Sequence, residues 1–220
     1  MKKSLSFLIV AVLFFSLAGC QEQQSKKSSE LERRADLKLS CVAEFLRSDG
    51  SRYLTEQRYE IFSSSKEIIL TSKEPFGDVI WSVQNGGYTV QKGLPDKVFD
   101  KELYRLMMDK DIADGLLEIY IAGLFENPAA KTEKESLNFD GKIYGLVRQT
   151  GSGVNVYSNK ATGKLDLVTS GRNKTGKVYL IHGFNYQKIK GQNGFYPSRL
   201  DIYRYRADFD KELIAQIDCF

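Results

Sequence analysis

The sequence predicts a mainly β, α+β fold: one strongly curved antiparallel sheet of about 10–11 strands whose concave face is covered by helices. Three observations carry this expectation. Apolar and polar residues alternate with a period of two through residues 52–92 and again through 142–218. Short Gly- and Asn-rich stretches, such as "NGG" at 85–87 and "KGQNG" at 190–194, separate the alternating runs. Between the two stretches, residues 99–126 place apolar side chains at helical spacing instead.

The chain opens with Lys2 and Lys3, followed by the uncharged apolar run Leu5–Ala18. That run is too short to span a bilayer, which takes about 20 apolar residues. A positive start, a short apolar middle and small residues before a break form the pattern of a secretory signal. Its ending, Leu17, Ala18, Gly19 and Cys20, resembles the lipobox of bacterial lipoproteins. The resemblance implies that residues 1–19 are a cleaved signal peptide and that Cys20 carries diacylglycerol, with an acylated amino terminus. More than one acyl chain gives durable anchoring. In the enteric form of the lipoprotein sorting rule, an aspartate after the cysteine retains the protein in the inner membrane. Gln21 stands there, which implies an outer-membrane location facing the periplasm.

Loss of Lys2 and Lys3 with the signal lowers the formal charge from +4 to +2. Neither a nucleic-acid footprint nor a polybasic membrane patch follows from so small an excess. Residues 20–30 carry no hydrophobic residue after Cys20 and form a flexible tether; residues 31–220 suit one domain with a real core. Cys41 and Cys219 lie near opposite ends of that domain. In an oxidising periplasm they can close a disulfide around nearly all of it, or remain two separate buried thiols.

Along the domain, Leu37, Cys41 and Phe45 at four-residue spacing, beside Leu39, Val42 and Leu46, predict a first helix over about 31–46 that covers the sheet. "SDGS" at 48–51 ends it. Tyr53, Thr55, Tyr59 and Ile61 then share one face of a half-buried strand against Arg52, Glu56, Arg58 and Glu60. "KEIILTS", "DVIWSV" and "GYTVQK" complete a four-stranded meander, with "NGG" supplying a tight hairpin. Helices follow at 99–109 and 111–126. The second is apolar around much of its circumference and holds Gly115 and Gly123, each costing about 1 kcal/mol relative to Ala, so it reads as a loose lid. Six more strands follow: "KIYGLVRQ", "GVNVYS", "KLDLVTS", "KVYLIHGFNYQKI", "FYPSRLDIYRYRA" and "ELIAQID".

Catalytic constellations are absent from this pattern. His182, the only histidine, shares a strand face with Val178, Leu180 and Phe184 and reads as a hydrogen-bonded core residue. One histidine and no clustered cysteines argue against zinc. Asp109, Asp111 and Asp114 with Gly115 miss calcium-loop spacing and instead start the lid helix. "GSG" at 151–153 lacks the lysine and the strand-to-helix setting of a phosphate loop and reads as a hairpin turn. The expectation is a binding or handling protein, not an enzyme, with no metal and no cofactor.

"EIILTSKEPFGDVIWSV", residues 67–83, resembles the third strand, protruding loop and fourth strand of the LolB family of outer-membrane lipoprotein receptors. There an apolar residue, usually leucine, is exposed on the loop between Pro and Gly and helps place lipoproteins into the membrane. The resemblance maps that role onto Phe76, flanked by Pro75 and Gly77. "LLEIYIAGLFENP", residues 116–128, is similar to the family's helix before the sheet resumes. "GFYPSRLDIYRYRADF" is more similar to the soluble LolA carriers. The resemblance implies an open half-barrel whose lid helix moves aside for acyl chains or lipoprotein cargo, supplied by a soluble LolA-like carrier. The inward residues Tyr59, Ile61, Ile69, Ile80, Leu116, Tyr120 and Leu124 then line either an acyl-chain cavity or a plain core. In the second case the protein is a non-catalytic scaffold or interaction lipoprotein of the envelope.

Overall fold

The computed structural model describes residues 34–74, 77–84, 87–92, 105–125, 135–151, 153–170, 178–190, 194–205 and 211–220. The signal, Cys20, the tether, Pro75 and Phe76 lie outside the described residues. Residues 35–220 form a compact unit of their own. Its strands are β1 (Leu37–Leu46), β2 (Arg52–Phe62), β3 (Glu67–Glu74), β4 (Gly77–Gln84) and β5 (Gly87–Lys92), followed by one long helix, α1 (Lys110–Phe125). After it come β6 (Ser136–Phe139), β7 (Lys142–Gln149), β8 (Asn155–Asn159), β9 (Leu165–Thr169), β10 (Val178–Lys188), β11 (Phe195–Tyr205) and β12 (Lys211–Cys219).

All twelve strands join one sheet in the order β5-β4-β3-β2-β1-β12-β11-β10-β9-β8-β7-β6. Every pairing is antiparallel, and β5 and β6 are the two edges. The order is a meander broken once, where β12 returns to pair with β1. Two strands exceed the sequence expectation, and each has a physical reason.

β1 replaces the expected first helix. Leu37, Leu39, Cys41, Ala43 and Phe45 are its buried residues, a strict period of two. A four-residue spacing is a multiple of two as well as close to a helical turn, so Leu37, Cys41 and Phe45 fit both patterns. What decides is pairing with β2 on one side and β12 on the other, where Cys41 faces Cys219. β6 is short, and its Phe139 pairs with Lys142 across Asp140 and Gly141, both at positive φ (48° and 73°). "DG" at that point is a hairpin turn requiring two left-handed residues in succession.

The sheet is strongly coiled. β6 lies five strand positions from β11, about 24 Å in a flat sheet at about 4.8 Å per strand. Yet the Phe139 and Tyr203 rings are 5.6 Å apart, and Lys211 of β12 pairs with Asp140 beside them. The β6 edge thus curls back toward β11 and β12, and with no ladder between β5 and β6 the sheet is open among the described residues.

Each face carries a core. On one, α1 packs chiefly against β9, β10 and β11, with Leu70, Trp81, Tyr120, Ile181, Leu200 and Ile217 in a single cluster. On the other, Phe139, Tyr144, Tyr157, Leu167 and Leu180 form a smaller aromatic cluster. Helix cover is therefore slighter than expected. Among the described residues α1 supplies most of the helical cover of the main face, joined by Leu106 and Met107 of the short helical stretch 105–107.

α1 approaches the sheet closely. A Cβ on Gly115 would lie 2.6 Å from Ile181 Cδ1, and one on Gly183 would lie 2.7 Å from the Tyr186 hydroxyl, 3.0 Å from Pro197 Cβ and 3.3 Å from Ile119 Cδ1. Gly183→Val is therefore expected to lower stability by about 1–3 kcal/mol, the cost of overpacking a filled core. Denaturant unfolding measures this, and an unchanged midpoint would show that the helix can lift away at no cost.

Candidate functional site

The candidate site is the face of the sheet that holds α1. Asp109 opens that helix: its carboxylate accepts the Asp111 N–H at 3.0 Å, and its carbonyl accepts the Ala113 N–H at 3.0 Å. The other carboxylate oxygen accepts the Tyr179 hydroxyl at 2.8 Å, tying the helix start to β10. This is the capping role that the aspartate spacing suggests.

From Ile112 to Ala122 every residue of α1 is buried. An amphipathic helix leaves one face in water, so α1 is enclosed and is no surface lid in this structure. The two acids within this stretch are paired. Lys110 Nζ lies 2.5 Å from Asp114, and Arg148 of β7 lies 2.7 Å from Glu118. Burial pushes the Asp114 carboxyl up from its ordinary value, with Lys110 opposing the shift.

Of the residues expected to line the concave face, Tyr59, Ile61, Leu116 and Tyr120 meet there, at 1%, 0%, 3% and 0% exposure. Tyr59 and Tyr120 rings are 6.0 Å apart. Burial pushes both phenols up, helped at Tyr59 by Tyr120 and at Tyr120 by Tyr196, so both stay neutral. Tyr59 donates to Gln57 at 2.5 Å, and the Tyr120 hydroxyl lies 3.5 Å from Cys219 Sγ. Cys41 and Cys219 are joined by a disulfide across β1 and β12 on this same face.

Ile69 and Ile80 do not share the interior. Register pairs Tyr59 with Leu70 and Ile61 with Ile68, so the inward residues of β3 are Ile68 and Leu70. In β4 they are Trp81 and Val83, which oppose Leu70 and Ile68. Ile69 and Ile80 are half-buried on the opposite face. The apolar pair "II" at 68–69 hides the phase of the strand, and only pairing sets it. The side chain of Leu124 lies outside the described residues.

Sequence reading missed a polar patch inside this face. Thr55 and Ser72 hydroxyls are 2.9 Å apart and buried, next to buried Gln57. Thr55 was visible as inward; Gln57 and Ser72 share its alternation but read as solvent-facing by residue type alone. Trp81 Nε1 donates to the Met107 carbonyl at 3.1 Å, anchoring the segment before α1 to β4.

His182 lies on the other face, buried against the aromatic cluster. Its ring centroid is 4.0 Å from that of Phe184 and 5.3 Å from that of Phe139, and Nε2 lies 3.3 Å from the Tyr144 hydroxyl. Burial, followed by the Lys142 charge, pulls it down to about 4. Asp166, in the β9 bulge opposite Tyr157 and Ser158, is pushed up to about 6 by burial. Tyr144 rises to about 12, mainly from burial and then from Asp166. His182 and Tyr144 thus belong to the aromatic cluster and not to the cluster that holds α1. Among the described residues no three His, Cys, Asp or Glu side chains are grouped to hold a metal ion, and no helix is long and apolar enough to cross a membrane.

No family model matches the chain, and no curated protein matches it. Among solved structures, it is similar to a LolA superfamily protein from Nitrosomonas europaea, at 10% identity and TM-score 0.49, over 86% of this chain and 85% of that one. A DUF1329 family protein from Desulfovibrio piger aligns at 13% identity and TM-score 0.41, over 83% and 82%. A domain described as an outer membrane lipoprotein-sorting protein, from Vibrio parahaemolyticus, aligns at 10% identity and TM-score 0.39, over 87% and 88%. The fold itself rests on the strand order and registers given above: an open, twelve-stranded antiparallel sheet with a buried helix on one face.

Proposed function

We propose that this chain is a lipid-anchored envelope protein that accepts acyl chains, or lipoproteins carrying them, on the α1 face of its open sheet and helps deliver them to the outer membrane. The observation that carries this is the enclosure of α1, an apolar rod buried from Ile112 to Ala122 against a coiled sheet with unpaired edges. A space shaped to hold such a rod can hold acyl chains when the rod withdraws, since one apolar surface replaces another. The chemistry is exchange of contacts, with no bond made or broken. For α1 to withdraw, Glu118 has to release Arg148 of β7, whereas the Lys110–Asp114 pair lies within the helix and moves with it. Cys20 is the proposed lipidation site and holds the domain at the periplasmic surface of the outer membrane. Phe76, between Pro75 and Gly77, is the proposed residue that enters the bilayer during delivery, as the LolB-like motif suggests. A soluble LolA-like protein is the proposed donor.

A second reading is favoured by one observation: Tyr59, Ile61, Leu116 and Tyr120 are packed together, which suits a scaffold lipoprotein with a filled core. Native mass spectrometry of the protein lacking its lipid separates the two. Co-purified lipid, displaced by added fatty acid, is expected for the handling protein; a bare mass that takes up no fatty acid would leave the scaffold. Phe76→Glu is expected to abolish most lipoprotein delivery in a reconstituted transfer assay while shifting stability by no more than about 0.5 kcal/mol. Unaltered delivery would remove the loop from the mechanism.

A further inference from the structure

We propose that the Cys41–Cys219 bond is a thiol–disulfide exchange site whose access α1 controls, closed to dithiols while the helix is seated and open to them when cargo takes the helix's place. The inference rests on the proposed withdrawal of α1 and names what that withdrawal uncovers. The bond joins β1 to β12 over a sequence separation of 178 residues, and both cysteines belong to the core cluster that holds α1. Cys41 is 2% exposed and Cys219 5%.

The helix covers the bond with one side chain. While α1 packs chiefly against β9, β10 and β11, Tyr120 reaches out from it and sets its hydroxyl 3.5 Å from Cys219 Sγ. Beside β1, the Tyr59 ring stands 6.0 Å from that of Tyr120, and its hydroxyl donates to Gln57, the strand partner of Cys41. An acyl chain lying over β9, β10 and β11 carries no such arm. It fills the helix's place without replacing the cover over β1 and β12.

Exchange requires a thiolate to reach one sulfur, and burial under an apolar helix keeps out both the reagent and its charge. Once Tyr120 has left, a thiolate of the dithiol attacks Cys219 Sγ, forming a mixed disulfide and expelling Cys41 Sγ with the electron pair of the broken bond. The second thiol of the same dithiol then resolves the mixed disulfide, releasing Cys219 Sγ. The two departing sulfurs take up the two protons that the dithiol gives up, so the protein gains two thiols and the dithiol becomes a disulfide. Global unfolding also exposes the bond, but the two routes respond oppositely to cargo. A ligand of the folded state makes unfolding rarer and would slow reduction, whereas displacement of α1 by that ligand speeds it.

The test uses the chain from residue 20 onward with Cys20→Ser, in which Cys41 and Cys219 are the only cysteines. Dithiothreitol serves as the dithiol and palmitic acid as the acyl chain. Freed thiols are trapped with iodoacetamide and counted by mass, while native mass spectrometry records bound palmitate. Palmitate loading is expected to speed reduction at least about fivefold, because local opening then replaces global unfolding as the route to the bond. Tyr120→Ala is expected to give a similar gain without palmitate, and Leu180→Ala, which loosens the separate aromatic cluster, a smaller one. Palmitate that binds but leaves the rate unchanged or lowers it would overturn the exchange site and leave cargo binding intact. Equal gains from Tyr120→Ala and Leu180→Ala would overturn it too, by assigning exposure to general loosening. If Tyr120→Ala does not fold, the sign of the palmitate effect on the parent decides alone. Protein that binds no palmitate would remove the cargo reading and this inference with it.

Discussion

Replacing Cys41 and Cys219 together by alanine is expected to cost the fold about 3–5 kcal/mol. The bond spans 178 residues of sequence, so it removes more freedom from the unfolded chain than a bond closing a short loop. On chain-entropy grounds a loop of that size corresponds to about 5 kcal/mol, and measured losses run to about 2–5 kcal/mol. Location adds to this. Among the described strands, β1–β12 is the ladder that joins the two halves of the meander, and both cysteines are buried beside Tyr120. Denaturant unfolding of the double variant, with the parent in reductant as a parallel measurement, gives the value. A loss under about 1 kcal/mol would show that the ladder holds the halves without the bond.

Two single substitutions, His182→Gln and Asp166→Asn, are expected to bend the pH profile of stability in opposite directions. The His182 imidazole is held down at about 4 by burial and then by Lys142, below the unfolded value of about 6.5. An unfolded chain takes up the proton first, so this group's contribution is complete above about pH 6.5 and is lost as the pH falls toward 4. Asp166 runs the other way. Its carboxyl is raised to about 6, above the unfolded value of about 3.9, so its contribution is complete below about pH 4 and lost as the pH rises to 6. Allowing for solvent screening, each term is worth no more than about 2 kcal/mol. Between pH 4 and 6 they largely cancel. Asp166→Asn should leave the acid-sensitive slope of His182, and His182→Gln should leave stability highest near pH 4. Midpoints of unfolding taken across about pH 4 to 7 decide this; parallel profiles for parent and variants would refute the opposition.

Much of the fold was legible because alternation is a local signal. The strands β2–β5 and β7–β12, and the helix at 110–125, stand where residue periodicity places them. The aspartate that caps α1 and the inward orientation of His182 were legible for the same reason. Where periods coincide, local reading fails. Leu37, Cys41 and Phe45 suit a helix or a strand, and only the pairing of β1 with β12, brought from the far end of the chain, selects the strand. Adjacent apolar residues, Ile68 with Ile69 and Ile80 with Trp81, leave strand phase open until a neighbour fixes it.

The sequence by itself determined a mainly β domain, an apolar helix near residues 111–126, a lipobox-like cysteine at position 20 and a Pro-Phe-Gly motif at 75–77. Those follow from composition and spacing within a few residues. Tertiary structure alone decided that α1 is buried on all sides, that Tyr59 and Tyr120 meet, that Cys41 reaches Cys219, and that the entry of β1 lies at the opposite end of the sheet from the Glu74–Gly77 turn. Each of these depends on which strand lies beside which. That choice is made by burial across the whole domain, which no short stretch of sequence encodes.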